Sequence, residues 1–345
     1  MHGFALWVVV AGTLLLPLAL RPLARLGPDS TETFSYLPTL ERTRTRTMPF
    51  DTVVVEQLRE MRPEIVLIGD SMGGSRIDPT YFASQLGNRN VAPLFYNATG
   101  SAFWYLAFKN WVLAVTPRPR LAVFFFRDDQ LTDPLFRVAG PYRATLDRVA
   151  RSNEARLNVV LATRLQGPLY RLDALADEVY DQERLRQWLE PALVNAPVGL
   201  VARHKEARTL LGRMNSEIFC LEALRSMAQA DVWQAEEATY DFDKSVVTSV
   251  LPPLLALGKM AGVRMAFVRV QRRPENNRPP VQSPALQRYV SRLRGYLDKE
   301  GAFFHDDWGD PEQPLSMYAD GDHLSSTFRH RYTDRFLQVN APFFR

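Results

Sequence analysis

Two runs in this chain, Ile65 to Gly69 and Leu121 to Phe126, carry no polar side chain, and the first stops abruptly at Asp70-Ser71-Met72-Gly73-Gly74. A strand with one wet face alternates polar and apolar residues. A strand without alternation must be covered on both faces, which is the condition inside a parallel sheet. Leu94 to Asn97, Val263 to Val270 and Ala302 to Phe304 read as three further strands. Between them lie helical segments: one following Pro79, Phe103 to Ala114 ended by Pro117 and Pro119, Leu254 to Met260 closed by Gly262, and Leu286 to Leu297. The alternation predicts an α/β fold around a parallel five-stranded sheet covered on both faces, with ligands at the carboxyl ends of the strands.

The chain has 345 residues, 46% hydrophobic and 23% charged, enough for one large core and an insertion. Gly3 to Leu20 carries no charge and is long enough to span a bilayer; Arg21, Pro22 and Arg25 follow in place of a small-residue cleavage site. The expected organisation is a transmembrane anchor at 1–25, a connector at 26–60, a catalytic domain at 61–131 and 245–345, and a helical insertion at 132–244. Within the insertion, Asp181 to Leu189 and Ala207 to Met214 are rich in helix formers, and Tyr240-Asp241-Phe242-Asp243 ends it. It reads equally as a stabilising cap or as a lid or docking surface. Arg21 and Arg25 weakly favour a cytoplasmic body by the positive-inside rule. A single cysteine, Cys220, excludes disulfides and multi-cysteine metal sites. Lys and Arg exceed Asp and Glu by 42 to 38, without a dense basic run, so the chain lacks a nucleic-acid footprint.

The chemistry is expected where the first strand ends. Ser71 has its hydroxyl at the sheet rim, and the amides that follow face the same pocket near a helix start, which suits a nucleophile whose acyl intermediates develop an oxyanion. A bland alternative is a turn in which Ser71 caps a helix. The chain has five histidines, and His323 is distinguished by Asp320 three residues earlier, close enough on one loop to orient the imidazole and stabilise the imidazolium.

These residues resemble the GDSL/SGNH hydrolase family, whose first block is Gly-Asp-Ser and whose last is Asp-x-x-His. Here they read Ile68-Gly69-Asp70-Ser71 and Asp320-Gly321-Asp322-His323-Leu324-Ser325. Asn97-Ala98-Thr99-Gly100 matches the second block, and the resemblance makes Gly100 an oxyanion donor beside the Ser71 amide. The third block departs: where the family often has Gly-x-Asn-Asp, this chain has Phe126-Arg127-Asp128-Asp129. Arg127 is a candidate substitute donor; alternatively Asp128 and Asp129 fix Arg127 by a salt bridge. With the amino-terminal apolar segment, the altered third block and the insertion, the chain is more similar to the membrane-tethered branch than to secreted lipases; that branch includes the D-alanyl transfer protein of teichoic acid synthesis and the alginate O-acetylation proteins. The resemblance implies a flavodoxin-like three-layer SGNH hydrolase fold and a body outside the cytoplasmic membrane. It implies as partners a membrane-bound O-acyltransferase that supplies the acyl group and a cell-surface polysaccharide that receives it. No cofactor is called for. An esterase and a non-catalytic scaffold are the rival readings.

Four other features are weaker. Asp128, Trp104 and Arg269 are candidate substrate contacts: Trp104, with Tyr105, as a sugar subsite, and Arg269, in the segment to Arg273, for an anionic polymer. Each has a structural alternative, as core or as a solvated strand end. His305-Asp306-Asp307 has metal-ligand chemistry but reads better as a solvated loop, so no metal is expected.

Overall fold

The computed structural model describes residues 48–138, 142–151, 154–165, 240–274 and 282–344, with Leu15. The expected anchor, most of the connector, Cys220, His204 and the stretches at 181–189 and 207–214 lie outside the described residues. Among the described residues no helix is long and apolar enough to cross a membrane.

Residues 46–164 and 240–345 make one compact unit. It is wider than the expected catalytic domain at both joins. Helix α1 (Thr52–Met61), expected as connector, is capped by Asp51 and buries Val54, Val55 and Leu58. Asp51 pairs with Arg148 at 2.5 Å, although Arg148 falls within the expected insertion. The chain continues through β1 (Ile65–Gly69), α2 (Ser71–Arg76), α3 (Pro79–Gln85), β2 (Val91–Phe95), α4 (Ser101–Asn110) and β3 (Leu121–Phe126). Next come α5 (Arg143–Asp147) and α6 (Ala155–Arg164). Both belong to the body: Glu154, 1% exposed, takes hydrogen bonds from Lys109 at 2.5 Å and from Asn110 at 2.8 Å, both on α4. From Phe242 onward come α7 (Phe242–Val247), α8 (Leu251–Ala261), β4 (Arg264–Arg269), α9 (Pro284–Lys299) and β5 (Phe303–Asp306). A two-stranded hairpin of β6 (Tyr318–Asp320) and β7 (His323–Leu324) precedes α10 (Arg329–Val339) and α11 (Ala341–Phe344).

The five strands pair in parallel in the order β2-β1-β3-β4-β5. Strand β3 shows why the sequence lacks alternation there. Phe124 meets Phe108 of α4 on one face at a centroid distance of 5.8 Å, while Phe125 meets Phe336 of α10 on the other, also at 5.8 Å. Both faces are core, and each fully buried aromatic contributes about 1.5–3 kcal/mol. Pro93 sits opposite Leu67 in β2, an edge strand, where a missing N–H is tolerated. The chain order reverses between β1 and β3, which opens the sheet rim at the end of β1.

Candidate active site

Ser71 is placed by the transition from β1 to α2. Asp70, 4% exposed, accepts a hydrogen bond from the Met72 amide at 2.8 Å and so caps α2, leaving Ser71 as the first helical residue. The close seating of α2 on the strand ends requires glycine. A Cβ on Gly73 would stand 2.6 Å from the Phe95 ring and 3.0 Å from Phe125 Cβ. Burial pushes the Asp70 carboxyl above its ordinary value, against the Met72 hydrogen bond and the cations of Arg127, Arg137 and Arg76.

The base arrives from the other end of the chain on the β6–β7 hairpin, whose Gly321 adopts φ +38°. His323 Nε2 lies 2.8 Å from Ser71 Oγ, and His323 Nδ1 lies 2.6 Å from Asp320 Oδ1. A carboxylate only accepts, so Nδ1 carries the proton and Nε2 is free to accept from the serine hydroxyl. The three side chains therefore form one continuous hydrogen-bonded path. It is open to water: the His323 side chain is 38% exposed and that of Asp320 is 79% exposed.

A pocket of about 370 Å³ lies over this path, lined by Ser71, Gly74, Ser75, Ile77, Pro79, Phe95, Asn97, His323 and Arg329. Asn97 is the residue that sequence reasoning undervalued: it opens the second block and lines the pocket. Gly100 is the N-cap of α4, packed beneath Phe136, whose carbonyl oxygen and ring would each stand 2.9 Å from a Cβ there. Arg329, at the start of α10, donates through Nη2 to the Gly74 carbonyl. Nothing in its local sequence marked it.

Five expectations change with these positions. Arg127 is not presented as an oxyanion donor; its Nη1 is 2.6 Å from Asp322 Oδ2. Asp128, 2% exposed, pairs with Arg269 at 2.8 Å and Arg272 at 2.5 Å, so it does not face a substrate. Burial alone would raise its carboxyl, but Arg272 and then Arg269 hold it below the usual carboxylate range. Arg269 is itself 0% exposed, with its guanidinium 4.5 Å over the Trp308 ring, and is a buried ion-pair partner instead of a polymer contact. Trp104 is also 0% exposed, donating from Nε1 to Thr99 Oγ1 at 3.0 Å; with the buried Tyr105 it is core and not a sugar subsite. The His305-Asp306-Asp307 run spends its groups internally. His305 meets Asp307 at 2.8 Å, Asp307 accepts from the Tyr332 hydroxyl at 2.5 Å, and Asp306 contacts Arg269 at 3.4 Å.

No protein-family model matches the chain, and neither does any curated protein. Among solved structures, a proposed acylhydrolase from Bacteroides fragilis aligns with a TM-score of 0.39 and 10% identity, over 84% of this chain and 95% of its own. A GDSL-like lipase from Bacteroides thetaiotaomicron aligns with a TM-score of 0.34 and 10% identity, over 82% of this chain and 90% of its own. At this identity and TM-score the likeness says nothing about chemistry, which is read from the side chains themselves.

Proposed function

We propose that the chain is an SGNH-type serine enzyme that transfers an acyl group through Ser71. In this reading residues 1–25 anchor it, its body works outside the cytoplasmic membrane, a membrane-bound O-acyltransferase supplies the acyl group, and a cell-surface polysaccharide hydroxyl receives it. The observation that carries the chemistry is the unbroken path from Ser71 Oγ through His323 to Asp320, at 2.8 and 2.6 Å.

The steps follow from that path. Ser71 Oγ attacks the acyl carbonyl as its proton passes to His323 Nε2, and Asp320 stabilises the imidazolium through Nδ1–H. Charge gathers on the former carbonyl oxygen, beside the Ser71 amide, with the Gly100 amide and the Asn97 side chain as further donors. One well-placed donor contributes roughly 3 kcal/mol to this state. Collapse expels the first alcohol, which takes the proton back from His323, and leaves an acyl-Ser71 ester. A second hydroxyl then attacks, giving its proton to His323, and the collapse returns free Ser71.

A polysaccharide hydroxyl as the second nucleophile makes a transferase; water makes an esterase. The exposure of His323 and Asp320 favours the esterase reading, since water reaches the base without any closure. The apolar segment at 3–20 and the branch resemblance favour the transferase. Incubation with a fluorophosphonate tests the shared step: peptide mapping should find the label on Ser71 and not in a His323→Gln variant. Folded wild-type protein that stays unlabelled would leave only the scaffold reading. Comparing acetate release with acetyl transfer to oligosaccharides then separates esterase from transferase.

A further inference from the structure

The carboxylate that orients His323 is itself poorly held. Asp320 is 79% exposed on its side chain, so water competes for its oxygens, and Gly321 next to it lends the hairpin no side-chain contact. The residue just before the base is bound quite differently. Asp322 Oδ2 meets Arg127 Nη1 at 2.6 Å, Asp322 Oδ1 accepts from the Arg273 amide at 2.8 Å, and the Asp322 carbonyl accepts from Arg76 Nη1 at 3.2 Å. Arg127 follows β3 and Arg273 lies beyond β4, so the carboxylate is tied to the rims of two central strands. Arg76 ends α2, is 0% exposed, and also donates to Met72 O at 3.1 Å and Gln271 O at 2.6 Å. Its guanidinium lies 6.0 Å from both the Tyr318 and Tyr332 rings. One buried cation thus joins the helix that begins with the nucleophile to the turn that carries the base.

We propose that Asp322 is the anchor of the catalytic base, and that Arg76, Arg127 and the Arg273 main chain act through it as positioning groups that fix His323 against Ser71. This deepens the serine-enzyme reading and rests on it for its kinetic consequences. It also gives Arg127, within the altered third block, a purpose: it supplies the cation that grips the hairpin. Buried arginines are costly to desolvate, and a guanidinium spent on three carbonyl oxygens is placed for geometry, since each bond fixes a different segment. The Ser71–His323 contact is at hydrogen-bond length only while that geometry holds, and a misplacement of about 1 Å can cost about 100-fold in rate.

The test uses the full chain with Asp322→Asn and Asp322→Ala. Asparagine keeps an acceptor for the Arg273 amide but loses the charge facing Arg127; alanine loses both. The expected result is a kcat lower by roughly 10- to 100-fold in the alanine variant and by less in the asparagine variant, with KM for a small ester unchanged. Arg127→Ala combined with Asp322→Ala should cost little more than Asp322→Ala alone, because the tie to Arg127 is already gone. Proton NMR supplies a readout besides activity: the downfield signal of the His323 Nδ1–H bonded to Asp320 should broaden or vanish in Asp322→Ala while the protein stays folded by circular dichroism. Should the alanine variant not fold, the asparagine variant is judged by the same criteria. Wild-type kcat with an intact downfield signal, a loss confined to KM, or additive losses in the pair would overturn the inference. Wild-type protein that neither labels nor turns over ester would instead overturn the enzyme reading, while the NMR comparison still reads whether Asp322 holds His323.

Discussion

Replacing Arg269 with methionine separates a stabilising ion pair from a substrate contact. Arg269 reaches Asp128 at 2.8 Å and Asp306 at 3.4 Å, and stacks 4.5 Å over Trp308, with no exposed surface of its own. Removing one partner of a buried pair costs about 3–5 kcal/mol, because the remaining charge stays desolvated. Arg272 remains 2.5 Å from Asp128 and retains part of the compensation. The lost cation–π contact adds on the order of 1–2 kcal/mol, and the methionine side chain refills some of the volume. The expected net loss is about 2–4 kcal/mol, read by urea denaturation at pH 7, or a melting temperature lower by roughly 5–15 °C. The pH dependence gives a second check. Asp128 is held below its ordinary value when folded, so its contribution is present above the unfolded carboxylate value of about 3.9 and is lost as pH falls through the folded one. Methionine at 269 removes one of the cations responsible, so the gap between wild type and variant should narrow on acidification. A variant of wild-type stability with a raised KM would refute the reasoning and restore Arg269 to the substrate.

Three further outcomes are expected. Asp320→Asn should lower kcat by roughly 10²–10³, less than the about 10⁴ typical of a buried triad aspartate, because water substitutes at an exposed position; ester kinetics showing a loss as deep as that of Ser71→Ala would contradict this. Trp104→Phe should cost about 1–3 kcal/mol in denaturation without changing oligosaccharide affinity, and lost affinity in a stable variant would return Trp104 to the pocket. Asp70→Asn should hold or raise the melting temperature at pH 7. Burial raises the folded carboxyl, so its charged form disfavours the fold at neutral pH, and the amide keeps an acceptor for Met72. Thermal melts from pH 4 to 8 should show that advantage shrinking as the wild-type carboxyl takes up its proton, and a lower melting temperature at pH 7 would count against it.

Local pattern carried much of the fold. Ile65–Gly69 and Leu121–Phe126 were legible to the residue, because an apolar run ended by a turn has little other use. Strand β2 begins at Val91, three residues before the expected start, since Pro93 reads as a breaker unless the strand is known to lie at an edge. Helix α1 looked like connector because its burial, at Val54, Val55 and Leu58, is supplied by tertiary packing. At the site, Ser71, Asp320 and His323 were legible as a spaced set of residue types. Trp104, Asp128 and Arg269 were placed near the right strand ends but on the wrong side of the surface, and burial is not written in one residue's identity. Asp322 carries no local mark of its role, because adjacent residues in a loop usually point in different directions. Its partner Arg127 is 195 residues away, and no local signal announces such a pair.

Arg164 closes α6 just before the long interruption of the body. Its Nη2 donates to Thr132 O at 2.7 Å and Ser245 O at 3.3 Å, and its Nε donates to Thr248 O at 3.1 Å. A single guanidinium therefore sutures the outgoing stump to the returning one, and the seam is closed with backbone acceptors that any sequence provides. The two ends of the body are thereby held to each other directly, so the entropy of closing whatever chain runs between them grows only slowly with its length.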